Sequence, residues 1–218
     1  MTTESTDEYI ETIYRLGGDA NPVPVSDVAQ RLTVSVVSAS EMVKRLAAHN
    51  FVDYEPYKGI LLTPTGRELA LRIIRCHRLW ERFLTDMLGI PWDLVHEEAC
   101  RLEHATSSLV EARLATFLGD PTRCPHGSLV PGAAMSPDAD HEMPLASLTE
   151  GQRAVVTRVS VEEPEMLRYI DELGLRPQAN VEVERVAPFG GPMTLRVGDT
   201  QQLVAGQVAS AVLVHVVE

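Results

Sequence analysis

The chain has 218 residues, with 19 Lys and Arg against 31 Asp and Glu and a formal net charge of −12. That balance argues against nonspecific polyanion binding by the whole surface, while leaving room for a local basic face, because the distribution of charge governs association. At 44% hydrophobic residues the chain can bury a core and form more than one domain. No apolar run approaches the roughly 18 residues of a membrane span, and the acidic start MTTESTDEYIE is unlike a signal peptide. A cytoplasmic protein is the expectation. Cys76, Cys100 and Cys124 are odd in number and widely spaced, which favours metal or core roles over disulfides.

In chain order, Tyr9, Ile10, Ile13, Tyr14 and Leu16 predict a first helix over about Thr6 to Leu16, ended by Gly17-Gly18. Ser26 reads as the cap of a short second helix, and Ser35 to His49 as a third. Phe51–Tyr54 and Ile60–Thr63 form a hairpin around a Gly59-containing tip. Thr65 and Glu68 make a capping box for a long helix to about Leu88. Another long helix is expected from Trp92 to Leu118. Residues 119–144, with five prolines, read as a linker. Beyond Leu145 four apolar stretches and one helix (Pro164 to Leu173) suggest a small barrel or sandwich.

Two short helices, a tight turn and a hairpin outline a winged helix-turn-helix, in which the second helix enters the major groove. Ser35, Val37, Ser38 and Glu41 would meet base edges, and Lys44, Arg45, Tyr57 and Lys58 would reach phosphates. From Arg31 to Arg82 there are nine basic residues against five acidic ones, a local surplus of positive charge inside an acidic protein. A helical bundle with solvated charges, or a protein-binding winged helix, fits the same pattern.

The run H-E-E-A-C-R-L-E-H projects His96, Cys100, Glu103 and His104 toward one neighbourhood if it is helical. Imidazole, thiolate and carboxylate together suit a divalent first-row transition metal. Further donors come in pairs: Glu8 and Glu11, His77 and Glu81, and the C-P-H of Cys124 and His126. Singly these fit exposed acids, a helical contact and loop residues; together they supply donors for two sites. A metallohydrolase would also use such ligands, but there is no H-E-x-x-H and no separate general base.

The stretches D-E-Y-I-E-T-I-Y, L-T-P-T-G-R-E-L-A, H-R-L-W-E-R-F-L and H-E-E-A-C-R-L-E-H resemble the diphtheria toxin repressor family of iron- or manganese-dependent transcriptional regulators, over nearly the whole chain. The resemblance implies a multi-domain α+β protein: a winged helix-turn-helix (residues 1–75), an all-α metal-binding and dimerisation domain with its linker (76–144) and an SH3-like, ferrous-transport-A-like small β-barrel (145–218). It implies a homodimer on double-stranded operator DNA, with no enzymatic activity, no membrane and no small-molecule substrate. Two ions per subunit are implied, Mn²⁺ foremost and Fe²⁺ as the alternative. The primary site would use Cys100, Glu103 and His104, with Glu8 at the position where the iron branch has Met, and Glu11. The carboxylate hardens that site toward manganese, while Cys100 pulls the other way. The second site would use His77, Glu81 and His96. The iron-branch Glu-x-x-Gln falls on Arg158 and Val161 and is absent, so a manganese-type version with Cys124, His126 and a C-terminal acid is expected, Glu163 first and Glu162 next.

Overall fold

A computed structural model describes residues 3–133 and 142–217. It divides into two compact units, Met1–His77 with Leu102–Thr106, and Arg78–Arg101 with Ser107–Glu218.

The first unit opens with α1 (Glu4–Arg15), α2 (Val25–Arg31) and α3 (Val36–Ala48). A hairpin of β1 (Val52–Glu55) and β2 (Gly59–Leu62) follows, in antiparallel register from Val52↔Leu62 to Glu55↔Gly59. Ile10, Ile13, Val28, Ala39, Val43, Leu46 and Ile60 form one apolar core, which is the periodic face of each helix turned inward. Ser35 caps α3 by accepting from the Ser38 N–H at 3.1 Å. Ser26 does not cap α2: Pro24 stands at that position, and the Ser26 hydroxyl donates to Asp27 instead.

Helix α4 (Pro64–Leu88) gives its first half to this unit and the rest to the other. The expected Thr65/Glu68 capping box is replaced by Thr63. Its hydroxyl donates to the Asn50 carbonyl (2.7 Å) and accepts from the Gly66 N–H (3.1 Å). Gly66 cannot carry a side chain, since a Cβ would stand 1.9 Å from the Phe51 oxygen.

The single helix expected from Trp92 to Leu118 is two, α5 (Val95–Glu103) and α6 (Ser108–Phe117). The break has a local cause: Ser107 adopts an extended backbone and its hydroxyl accepts from the Val110 N–H, starting a new helix. His104 therefore lies beyond the end of α5.

In the second unit, β3 (Met143–Pro144), β4 (Arg153–Val159), β5 (Asn180–Val186), β6 (Met193–Val197), β7 (Thr200–Val204) and β8 (Val212–Val217) form an antiparallel sheet in the order β3-β8-β4-β5-β6-β7. Register shifts at Val156/Arg158 and Val183/Arg185 bend it. Helix α7 (Pro164–Glu172) packs Leu167 and Ile170 into its core, with Leu145, Val156, Leu195 and Trp92. Strand β7 and helix α8 (Gly206–Ala211) had no counterpart in the sequence reading. Part of the expected linker, residues 134–141, lies outside the described residues.

Candidate metal centres and nucleic-acid interface

In the first unit, α1, α4 and the end of α5 bring Asp7, His77, Glu103 and His104 together. The His77 Nδ1–H donates to Glu103 Oε2 at 2.6 Å. His104 Nε2 lies 3.2 Å from Glu103 Oε1, and its Nδ1 lies 3.5 Å from Asp7 Oδ2. All are buried or nearly so; the Glu103 side chain is 2% exposed. Burial pushes the Glu103 carboxyl above the usual carboxylate range, against the pull of its His77 hydrogen bond. Asp7 Oδ1 and His104 Nδ1 are buried with no hydrogen-bond partner. Each such orphan costs about 1–3 kcal/mol, a cost that a coordinated cation would remove. The donor set therefore fits a divalent ion.

In the second unit, Glu81 from α4 meets Cys124 and His126 from a turn. One ligand atom from each lies within 4.8 Å of the others, and all three residues are buried. Two ligands on bonds of about 2.3 Å can be at most about 4.6 Å apart, so this is the scale of one ion. The turn is tightly specified. The Gly127 N–H donates to the Cys124 carbonyl (2.9 Å), and the Val159 N–H of β4 donates to the His126 carbonyl (2.9 Å). Gly127 has φ +88°, and a Cβ there would stand 2.1 Å from the Thr157 oxygen. The His126 Nε2–H donates to the Trp92 carbonyl at 2.7 Å, which fixes the tautomer and turns Nδ1 to Glu81, 3.2 Å away. The Trp92 ring stacks on His126 at 5.3 Å between centroids. Burial is the largest influence on the His126 pKa and lowers it. Hydrogen bonds and charge from Cys124 and Glu81 together outweigh it and push the value up to about 10.

The sequence-predicted ligands distribute as follows. Glu8 is exposed, and Asp7, one position earlier, takes the buried place beside His104. Glu11 is partly buried and pairs with Arg15 at 2.8 Å. His77, expected with Glu81 and His96, is hydrogen-bonded to Glu103. Cys100 belongs to the second unit, its Sγ 3.7 Å from His96 Nε2. His96 also lies 3.7 Å from carboxylate oxygens of Glu81 and Glu162. Glu163, the first choice for the C-terminal acid, is exposed at the start of α7; Glu162 is the acid beside the histidine. Asp7 was legible as the acid four residues before Glu11, hence on its helical face.

The residues expected at the DNA interface are placed as follows. At the start of α3, Val36 and Val37 are 53% and 75% exposed, and Ser35 and Ser38 are exposed beside them. Tyr57 stands fully exposed at the wing tip with φ +68°. Glu41 is held by Lys44 (2.8 Å), and Lys58 by Glu55 (2.5 Å), so both lysines carry a local counter-charge. Arg45 is exposed on α3.

Three family models match successive stretches of the chain: an iron dependent repressor N-terminal DNA binding domain (residues 1–60), an iron dependent repressor metal binding and dimerisation domain (63–132) and a FeoA domain (143–216). The iron-dependent repressor IdeR of Mycobacterium tuberculosis is 34% identical over 225 residues, covering 97% of each chain. The diphtheria toxin repressor of Corynebacterium glutamicum is 31% identical over 225 residues, covering 99% of this chain and 97% of its own. Among solved structures, a manganese-dependent transcriptional repressor in complex with manganese aligns with a TM-score of 0.85 at 31% identity, over 97% of this chain and 100% of that one. The manganese regulator SloR aligns with a TM-score of 0.75 at 29% identity, over 97% and 98%.

Proposed function

This chain belongs to the diphtheria toxin repressor family of metal-dependent transcriptional repressors, and from that premise we propose that it is a manganese-responsive regulator of metal-homeostasis genes, acting in the cytoplasm as a homodimer on a palindromic operator. Its relatives and structural neighbours are repressors, not enzymes, so the metallohydrolase alternative falls away.

One observation carries the reading. The buried Asp7–His77–Glu103–His104 cluster, with its two orphan polar atoms, lies in the compact unit that also holds α3. Glu103 ends α5, His104 follows it, and Asp7 belongs to α1. A divalent ion supplies the positive charge that this cluster lacks. Asp7 and Glu103 then bind as carboxylates, and both histidines stay neutral with a lone pair toward the ion. The chain's own residues do the rest. Asp7 and His104 hold the end of α5 on α1, and α1 packs through Ile10 and Ile13 into the core that carries α3. In a dimer, that linkage would set the spacing of two recognition helices to successive major grooves. Exposed Leu109 (69%) and Phe117 (65%) on α6, within the stretch matched by the dimerisation model, support a self-complementary face.

Manganese is favoured because Asp7, Glu103, His77 and His104 supply oxygen and nitrogen donors. Iron(II) is the second reading, supported by the likeness to the iron-dependent repressor IdeR; Glu81–Cys124–His126 would hold the second ion of each subunit. The residues 1–75, 76–144 and 145–218 are proposed as the three functional segments. The test is operator affinity, by fluorescence anisotropy, as Mn²⁺ or Fe²⁺ is titrated into metal-free protein. Affinity that rises steeply with Mn²⁺ supports the proposal; affinity indifferent to both metals overturns it.

A further inference from the structure

We infer that Glu142 is a positioning residue for the Glu81–Cys124–His126 cluster, holding the ligand-bearing turn on β4 through Arg123 and Arg158; the inference rests on reading that cluster as a metal centre. Arg123 immediately precedes Cys124. Its Nη1 donates to the Gly127 carbonyl at 2.6 Å, closing the turn, and reaches Glu142 Oε1 at 3.2 Å. Arg158 lies on β4, and its Nε donates to Glu142 Oε2 at 2.7 Å. One carboxylate thus joins the residue flanking the cysteine ligand to the strand on which the turn rests.

The partners are largely out of water, with side-chain exposures of 12% for Glu142, 18% for Arg123 and 38% for Arg158. Pairs of this burial resist screening better than surface pairs, and losing one member leaves the others short of a partner. A main-chain hydrogen bond from the Val159 N–H to the His126 carbonyl restrains the histidine end. Arg123 and Glu142 restrain the cysteine end, so Glu142 governs how firmly the Cys124 Sγ is aimed at Glu81 and His126. No ligand atom is contributed by the three residues, which separates their role from that of the cluster itself.

Co²⁺ titration of the full-length metal-free protein tests this, following the near-ultraviolet thiolate-to-cobalt charge-transfer band. Cys124→Ser identifies the part of the band that belongs to this cluster. Partners of metal ligands typically cost 10–100-fold in affinity when removed, so Glu142→Gln should weaken the Cys124-dependent Co²⁺ site about 10-fold. The band should persist at saturation, and the metal-free melting temperature should move by only a few degrees. Arg158→Lys, which keeps the charge but not the geometry, should fall between the two. If Glu142→Gln does not fold, Arg123→Gln carries the same test with the Glu142–Arg158 pair left in place. A folded variant that binds Co²⁺ within twofold of the unmodified protein overturns the inference. A wild-type titration with no Cys124-dependent band overturns the metal-centre reading, and this inference with it.

Discussion

In the unit that carries the recognition helix, helix faces and a helix end bring Asp7, His77, Glu103 and His104 together; in the other, a four-residue turn delivers Cys124 and His126 to Glu81. The first cluster is electrostatically unfinished. It has a carboxyl raised by burial and two buried polar atoms without hydrogen-bond partners. The second is arranged in advance, with the histidine tautomer set by a backbone carbonyl and the turn pinned to a strand. A site with unmet demands changes most when a cation arrives, because binding can shift an equilibrium only through differential interaction. On the proposed reading, the first cluster is therefore the better gate and the second the better permanent holder.

The largest expected effect breaks the gate. Glu103→Gln keeps the shape of the side chain but removes the charge that faces both histidines. It should abolish the metal response of DNA binding, a loss of about 100-fold or more in Mn²⁺-stimulated affinity, since both the ligand and the coupling through α1 go. Anisotropy titrations with and without Mn²⁺ check it, and circular dichroism should show an unchanged fold. A full response from this variant would move the gating role to the second cluster.

Breaking the holder requires its backbone. Gly127→Ala combines φ +88° with a Cβ 2.1 Å from the Thr157 oxygen and 2.8 Å from the Arg158 Cβ. It should cost about 2–4 kcal/mol, measured by urea unfolding. Cys124→Ser is gentler: it leaves the turn intact and replaces sulfur by oxygen. It should lower affinity for Co²⁺ or Fe²⁺ about 10-fold while changing Mn²⁺ affinity less, because manganese gains less from thiolate. Competitive metal titration distinguishes the two outcomes.

The holder should also show a proton signature. In the metal-free protein His126 has its pKa pushed up to about 10, above its ordinary value. A raised histidine pKa contributes stability that is fully present below about pH 6.5 and is lost as pH rises through about 10. Metal-free protein should therefore become less stable to urea between pH 7 and 10. Metal binding near pH 7.5 must expel the His126 proton, so affinity should rise with pH over the same interval. Calorimetry in buffers of different ionisation enthalpy should count at least one proton released at this cluster, and Cys124→Ser should reduce that number.

The contrast between the clusters also explains what could be read from residues alone. The winged helix was legible because each helix has an apolar face and the hairpin has a glycine tip, which are local signals. The end of α5 was not, because His104 continues the residue spacing of the helix while Ser107, three residues later, caps a new one. Strand β7 was missed because its T-Q-Q-L-V lies at a sheet edge and is mostly exposed, so nothing in it alternates. The donor types were visible, but the contacts that fix them were not. His126 meets Trp92 across 34 positions, and Glu163 ranked ahead of Glu162, although Glu162 is the acid beside His96.

The smallest expected effect is also the sharpest on this point. Glu8 and Asp7 are adjacent acids on α1, three and four residues before Glu11, and the family resemblance pointed to Glu8. Successive helix positions differ by about 100° in direction, so only one of the two can face the cluster. Asp7 is 7% exposed and Glu8 is exposed. Glu8→Gln should therefore leave Mn²⁺-stimulated DNA affinity within about twofold, the scale expected of a surface charge. Asp7→Asn should cost about 10-fold or more, because it removes the anionic oxygen beside His104. If the two variants exchange these outcomes, α1 must turn about its axis when metal binds, and the gate would be a rotation of that helix rather than a clamp on it.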